Sequence, residues 1–179
     1  ADAKSTAPLT LGILMECADP IETPDQLADW AEAGVIAIGM SWWHASRYAA
    51  GNGIKPGSSN DGLTTLGREL ATRMDKLNIV HDLSHLSQRS TEDLLAHTSA
   101  PAIASHSNCR ALFPGMDATE AQRHLADDTI EEIARRGGVI GINLYSRFLT
   151  TNPPPARAQL RDVIAHIEHI CTLPGSTAH

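Results

Sequence analysis

The sequence has few cysteines and no long apolar run. Its three cysteines, Cys17, Cys109 and Cys171, are far apart and odd in number, which fits neither a disulfide scaffold nor a Cys-x-x-Cys metal knuckle. We therefore expect them to be buried as small hydrophobic side chains. The longest apolar stretches, such as residues 139–144, fall short of the roughly 20 residues that cross a bilayer. The sequence thus predicts no membrane segment.

Positive charge is scarce as well. The chain has 14 Lys and Arg against 21 Asp and Glu, for a net charge of -7, and its basic residues are scattered. Because nucleic-acid surfaces need clustered positive charge, we expect no nucleic-acid partner and favour a small molecule. The hydrophobic content of 42% indicates a globular chain. The compartment is left open, with the cytoplasm favoured.

Glycine fingerprints of nucleotide-binding folds are also missing, since neither G-x-G-x-x-G nor a Walker sequence occurs. What the chain has in excess is histidine, with nine residues. Neutral imidazole is the commonest transition-metal ligand in proteins. The composition therefore favours a metal site over a nucleotide site.

Short apolar runs alternate with helical segments along the chain. The predicted strands are residues 9–15, 35–40, 79–83, 101–105 and 139–144, and the predicted helices are 24–33, 64–77, 87–97, 127–136 and 156–171. Such alternation, with strands that are apolar throughout, predicts an α/β fold in which helices cover a parallel sheet. The Gly- and Ser-rich stretch 50–62 is predicted to be a functional loop, and prolines break the chain at 152–155.

Three polar residues stand directly after predicted strands. Glu16, His85 and His106 follow the first, third and fourth strands, so parallel strands would bring them to one rim, where a (β/α)₈ barrel keeps its active site. Two imidazoles suit zinc, and a carboxylate can bridge two cations. The pattern predicts a metal site, although each residue could instead be a single hydrogen-bonded polar group at a strand end.

Four ordered segments carry a family resemblance. GLTTLGRE at 62–69, DLSHLS at 82–87, PAIASHSN at 101–108 and GGVIGIN at 137–143 resemble the signature segments of the membrane (renal) dipeptidases, which are zinc-dependent. The resemblance implies a TIM-type (β/α)₈ barrel that hydrolyses dipeptides at a dinuclear zinc centre. It covers nearly all of residues 11–149.

The same resemblance implies roles for single residues. Glu16 would be the catalytic carboxylate that bridges two zinc ions, and His85 and His106 would complete the second metal site. Arg123, which precedes paired aspartates, would bind the substrate carboxylate, with Arg110 as a weaker competitor. His44 is the other substrate-binding candidate.

Other residues near these positions leave alternatives open. Trp42 could take the place of His44 facing the substrate, or the Trp42–Trp43 pair could simply pack under the long loop. His81 is predicted to be a core or strand residue rather than a ligand. His166 and His169 are predicted to lie on the surface of the last helix.

Two family segments are missing from the sequence. A His-x-Asp pair on the first strand and an Asp-Phe-Asp-Gly segment on the last strand do not occur, and a whole barrel takes about 250 residues. Residues 1–179 are therefore expected to form one incomplete barrel domain that lacks its first and last strands. Such a chain should bind at most one zinc and turn over little substrate. Its open edges would favour association into homo-oligomers.

Two further functions compete with a dipeptidase. One is an amidohydrolase-like relative that acts on another small amide or lactone, which the altered segment 42–44 keeps open. The other is a catalytically inactive truncated barrel, which the missing ligands favour.

Overall fold

The computed structural model describes residues 10–151 and 157–176. Its single sheet contains β1 (Ile13–Met15), β2 (Val35–Gly39), β3 (Val80–Asp82) and β4 (Ala102–Ile103). Its helices are α1 (Leu27–Glu32), α2 (Thr65–Leu77), α3 (Gln88–His97), α4 (Ala118–Ala121), α5 (Asp127–Arg135) and α6 (Leu160–Thr172). Short 3₁₀ turns occupy Pro24–Gln26, Arg110–Leu112 and Ser146–Phe148.

The four strands lie in sequence order, and every neighbouring pair is parallel. Each connection between neighbouring strands carries a helix, because a parallel pair needs a crossover that returns the chain to the starting edge. All four strands therefore end at the same edge of the sheet. The predicted α/β order with parallel strands is confirmed.

Local signals set the helix ends as the sequence predicted. The Thr64 side chain accepts a hydrogen bond from the amide of Gly67, and Ser87 accepts one from the amide of Ser90. Each cap satisfies a free N–H group at the start of its helix. Asn78 ends α2 in the left-handed conformation, with a φ of 56°, a position that Asn tolerates better than most residues.

The hydrophobic core lies between the sheet and its helices. Fully buried side chains from α2, α3 and α5 pack against the strands, with Leu70 and Met74 from α2 and Leu94 from α3 among them. Ile130 and Ile133 of α5 belong to the same core. Burial of such side chains is the main force that holds the strand ends, and thus the site, in place.

The predicted fifth strand is reduced to one bridge, between Ala104 and Ile140. Three backbone hydrogen bonds tie the segment to β4 and the residues after it, from Ala104 to Val139, from Gly141 to Ala104 and from Ser107 to Gly141. A continuous strand needs a longer ladder, and the prediction of a strand over 139–144 is therefore wrong.

The first strand is shorter and more exposed than predicted. Ile13 and Leu14 are 51% and 39% exposed, because β1 has a neighbour only on its β2 side within the described residues. The prediction of a buried strand here is wrong. Leu9 lies outside the described residues.

Several helix predictions also need correction. The predicted helix 24–33 is divided into a 3₁₀ turn and α1, and α4 was not predicted. The helix predicted over 127–136 is α5, which ends at Arg135, and the helix predicted over 156–171 begins only at Leu160. The Pro-rich break at 152–155 lies outside the described residues. No helix of the described part is long and apolar enough to cross a membrane.

The cysteines differ from one another in burial. Cys109 is buried as predicted, Cys17 is half-buried and Cys171 is exposed. The prediction of a buried thiol is therefore wrong for Cys171, which lies near the exposed end of α6.

Candidate metal centre and cavity

Glu16, His85 and His106 meet at the edge where the strands end. The Nε2 atoms of His85 and His106 lie 2.9 Å apart. Oε1 of Glu16 lies 3.3 Å from the first nitrogen and 3.2 Å from the second. One ligand atom from each residue lies within 4.8 Å of the others. The convergence expected from the strand order is therefore present.

His85 is held in an unusual backbone conformation. Its φ of 70° lies in the left-handed region, which costs energy in a residue with a Cβ atom. The amide of Asn52 donates to the carbonyl of His85 at 2.8 Å and so anchors this turn to the long loop. In the orientation that satisfies its neighbours, the Asn52 side chain donates to the carbonyls of Trp42 and His85 and to Nδ1 of His85, each at 3.3 Å.

His106 is held by groups from β3 and the residues after β4. Its backbone amide donates to the Ser84 hydroxyl at 3.1 Å, and its Nδ1 lies 2.6 Å from the hydroxyl of Ser105. That hydroxyl in turn donates to Asp82 at 2.5 Å. The Nε2 atom is left to face Glu16 and His85.

Burial keeps His85 uncharged. Loss of hydration, with smaller contributions from the positive charge of Arg123 and from the neighbouring His106, lowers the pKa of His85 to about 3. A metal ligand must be neutral imidazole, so this environment suits coordination. Two imidazoles and a carboxylate within one coordination sphere fit a single zinc ion.

Arg123 is buried beside this cluster. Its guanidinium donates to the Ser107 hydroxyl at 3.1 Å and to the carbonyl of His106 at 2.9 Å, and its carbon lies 4.9 Å from the Phe148 ring centroid. Burial lowers its pKa to about 10, against the opposing effect of Glu16 and Asp82. The Nε–H group has no partner among the described residues, which leaves a buried donor for a ligand.

A cavity of about 930 Å³ opens over the cluster. Trp42 and Trp43 form one side of it, and the ring of Trp42 lies 5.8 Å from that of His85. Trp43 also packs against Gly53 of the long loop, where an added Cβ would lie 2.4 Å from the indole. Trp42 and Trp43 thus both line the cavity, and Trp43 also packs against the long loop. His44 is exposed and does not line this cavity.

Arg110 has a different role from Arg123. Its guanidinium binds the carbonyls of Ala121 and His124 and the side chain of Gln88. These bonds join the start of α3 to the end of α4 and to the residues that follow it. Arg110 therefore serves as a clamp between elements and does not line the cavity of the metal-ligand cluster.

Two further histidines lie inside the protein. His124 stacks on Phe113 with ring centroids 4.3 Å apart, and burial lowers its pKa to about 3. His166 is fully buried, with Nδ1 accepting from the amide of Cys109 at 3.2 Å. The prediction that His166 lies on the helix surface is wrong, because this face of α6 packs on Phe113. His169 is half-buried and lies 2.8 Å from Asp127.

Sequence reasoning missed the residues that support the ligands. Asp82 and Ser105 stand in the same DLSH and ASHS segments as the two histidines, but only the histidines were assigned roles. The signal available in the sequence was a polar residue inside a predicted apolar strand, Asp82 in 79–83 and Ser105 in 101–105. His81 is fully buried and binds Asp75 at 2.7 Å, as expected for a core histidine.

Sequence comparison identifies relatives for this chain. The model of the family described as Membrane dipeptidase (Peptidase family M19) matches residues 2–179. The chain is 33% identical over 147 residues to an uncharacterized protein of Klebsiella pneumoniae, covering 80% of this chain and 52% of that protein. It is 36% identical over 126 residues to an uncharacterized dipeptidase of Schizosaccharomyces pombe, covering 70% of this chain and 29% of the relative. The chain thus spans about half of these relatives or less.

Solved structures share the fold. A metallopeptidase from Rhodobacter sphaeroides, liganded with a phosphinate mimic of the dipeptide L-Ala-D-Ala, has a TM-score of 0.78 and 28% identity over 92% of this chain and 46% of its own. The probable dipeptidase PvdM from Pseudomonas aeruginosa has a TM-score of 0.78 at 22% identity, over 90% of this chain and 54% of its own, which supports the fold alone. The predicted partial barrel is confirmed. The chain belongs to the membrane dipeptidase family, peptidase family M19.

Proposed function

We propose that this chain is part of a zinc-dependent dipeptidase and supplies one metal site together with the group that holds the substrate carboxylate. The observation that carries the proposal is the cluster of Glu16, His85 and His106 in the wall of the cavity, beside the buried Arg123. The ligand of the Rhodobacter structure, a dipeptide mimic, supports dipeptides as the substrate class.

The donor set favours a catalytic ion over a structural one. Two imidazole nitrogens and one carboxylate oxygen leave an open position on a tetrahedral zinc. When bound, zinc polarises a carbonyl oxygen and lowers the pKa of its water. Among the described residues no second group of three ligands occurs. We therefore propose at most one zinc for this chain, although the family centre holds two.

Arg123 would orient the substrate. A guanidinium has five N–H groups, and hydrogen bonds to Ser107 and His106 engage two of its nitrogens while Nε–H is unpaired. A carboxylate in the cavity could accept from the remaining groups. Trp42 is better placed than His44 to contact the substrate, because Trp42 lines the cavity and His44 does not.

The test is calorimetric binding of a phosphinate dipeptide mimic to the zinc-loaded chain, with its C-terminal amide as matched control. We expect the free acid to bind more tightly than the amide, and only when zinc is present. Equal binding of both compounds would favour the amidohydrolase-like alternative, and no binding would favour the inactive barrel. Homo-oligomer formation and a cytoplasmic location stay predictions.

A further inference from the structure

We propose that Asp82 and Ser105 are positioning residues that hold His106 in the tautomer protonated on Nδ1, so that the lone pair of Nε2 faces Glu16 and His85. The inference rests on the proposed zinc site, because its consequence is a ligand oriented before the metal arrives. It concerns hydrogen-bond direction and can be tested without a metal.

Asp82 ends β3 and is 2% exposed. One carboxylate oxygen, Oδ1, accepts from the backbone amides of Ser84 and Ser105, both at 3.0 Å. The other oxygen, Oδ2, accepts from the Ser105 hydroxyl at 2.5 Å. The two oxygens therefore have separate roles. Oδ1 links the residues that follow β3 and β4, because it accepts from a backbone amide in each. Oδ2 accepts from the Ser105 hydroxyl.

The Ser105 hydroxyl has a single hydrogen to donate. Its oxygen lies 2.5 Å from Asp82 and 2.6 Å from Nδ1 of His106. The hydroxyl donates its hydrogen to Oδ2 of Asp82, so its oxygen can only accept from Nδ1 of His106. If Nδ1 were unprotonated, two lone pairs would face each other at 2.6 Å. The geometry thus requires the hydrogen on Nδ1.

The consequence falls on Nε2 of His106. With the proton on Nδ1, Nε2 of His106 is an acceptor, and it accepts from Nε2 of His85 at 2.9 Å. Glu16 lies 3.3 Å from the same His85 nitrogen and 3.2 Å from His106, so its carboxylate can share that hydrogen. A partner that fixes the tautomer of a metal-binding histidine also fixes its ring orientation. Here the Ser105 hydroxyl lies between the Asp82 carboxylate and the His106 ring, so Asp82 fixes the tautomer of His106 through Ser105.

Asp82→Asn should reverse the chain of hydrogen bonds. The amide oxygen would stay with the two backbone amides, which places the amide nitrogen against Ser105. The serine oxygen would then accept from Asn and donate to Nδ1 of His106, and the histidine proton would move to Nε2. Asp75→Asn is the matched control, because Asp75 pairs with His81 outside the cavity.

The experiment is ¹⁵N–¹H long-range NMR of the imidazoles in the metal-free chain, at a pH well above about 6.5 so that free histidines are neutral. The signals of His106 are assigned with His106→Gln. We expect the Nδ1–H form in the unmodified chain and in Asp75→Asn, and the Nε2–H form in Asp82→Asn. An Nε2–H form in the unmodified chain, or no change in Asp82→Asn, would overturn the proposal.

A second pair of variants covers the case in which Asp82→Asn does not fold. Ser105→Ala should release the tautomer to a mixture, and Ser105→Thr, which keeps the hydroxyl, should restore it. Zinc titration then separates the two proposals. If the variants change the tautomer, zinc affinity should fall about 10- to 100-fold. If the tautomer behaves as expected but the unmodified chain binds no zinc, the zinc site fails and the positioning role stands.

Discussion

The Nε2 atoms of His85 and His106 lie 2.9 Å apart, which is hydrogen-bond distance for two imidazole nitrogens. Two lone pairs would repel at this separation, so one nitrogen must carry a hydrogen that the other accepts. His106 accepts if its proton is on Nδ1, and His85 donates. A cation bound by both rings would take the place of this hydrogen bond, because each Nε2 atom must then be free of hydrogen.

Zinc binding should depend on both histidines. We expect calorimetry to show at most one equivalent in the unmodified chain, with weak affinity, and no measurable binding in His85→Ala or His106→Ala. His44→Ala is the control, because His44 is exposed and lies outside the cavity. Two tight equivalents, or binding indifferent to both substitutions, would place the ligands elsewhere.

Arg123 and Arg147 both line the cavity, but only Arg123 is buried against the ligand cluster. Arg123→Gln should weaken binding of a phosphinate dipeptide mimic by about 1.5–3 kcal/mol, the usual contribution of a charged hydrogen bond. Arg147→Gln should have a smaller effect. The comparison is made by calorimetry on zinc-loaded protein, after circular dichroism has shown that each variant is folded. A larger loss with Arg147→Gln would transfer the proposed role to that residue.

The free energy of unfolding should fall in acid, in part because of His124. Its pKa is lowered to about 3 in the folded chain, so the unfolded state takes up a proton below about 6.5 while the folded state does not. Stability from this group is complete above about 6.5 and is lost as pH falls towards 3. The loss approaches about 1.4 kcal/mol per pH unit.

Urea unfolding at a series of pH values checks this slope. His124→Phe keeps a ring against Phe113 and removes the titrating group, and should therefore flatten the pH dependence. His44→Gln changes an exposed imidazole and should leave it unaltered. An unchanged slope in His124→Phe would show that other groups cause the acid sensitivity.

Gly39 gives Glu16 the space it needs at the end of β2. A Cβ at Gly39 would lie 2.7 Å from the Glu16 carbonyl oxygen. Gly39→Ala should therefore displace Glu16, costing about 1–3 kcal/mol of stability and weakening zinc binding. Gly138→Ala is the control, since its Cβ would meet the Ala102 carbonyl and Ile133 but no atom of Glu16. It should lower the melting temperature without changing the zinc affinity of folded molecules.

The chain should associate through the exposed side of β1 and β2. Ile13 and Ile36 are 51% and 56% exposed. They lie in β1 and β2, and within the described residues β1 pairs only with β2, which leaves its other edge available for pairing. Ile36→Thr should reduce concentration-dependent association in sedimentation velocity, whereas Leu66→Gln, at an exposed position on α2, should not. Monomeric behaviour of the unmodified chain at every concentration would contradict this expectation.

Much of the framework could be predicted from local sequence. Short apolar runs ended directly before Glu16 and His106 and two residues before His85, and parallel strands necessarily carry such residues to one edge. The caps Thr64 and Ser87 were predictable because a cap binds an amide only three residues away. These features depend on neighbours along the chain, which the sequence displays directly.

The supporting contacts depended on residues far apart in sequence. Ser105 meets Asp82 across 23 positions, and His166 meets Cys109 across 57. No local pattern specifies such pairs, so the supporting role of Asp82 and the burial of His166 could not be derived from spacing. The apolar run 139–144 likewise looks like a strand until its limited pairing is known. Sequence alone was enough to say which residues reach the rim, but only the packed fold decided which atoms they meet there, because a hydrogen bond depends on distance and direction in space.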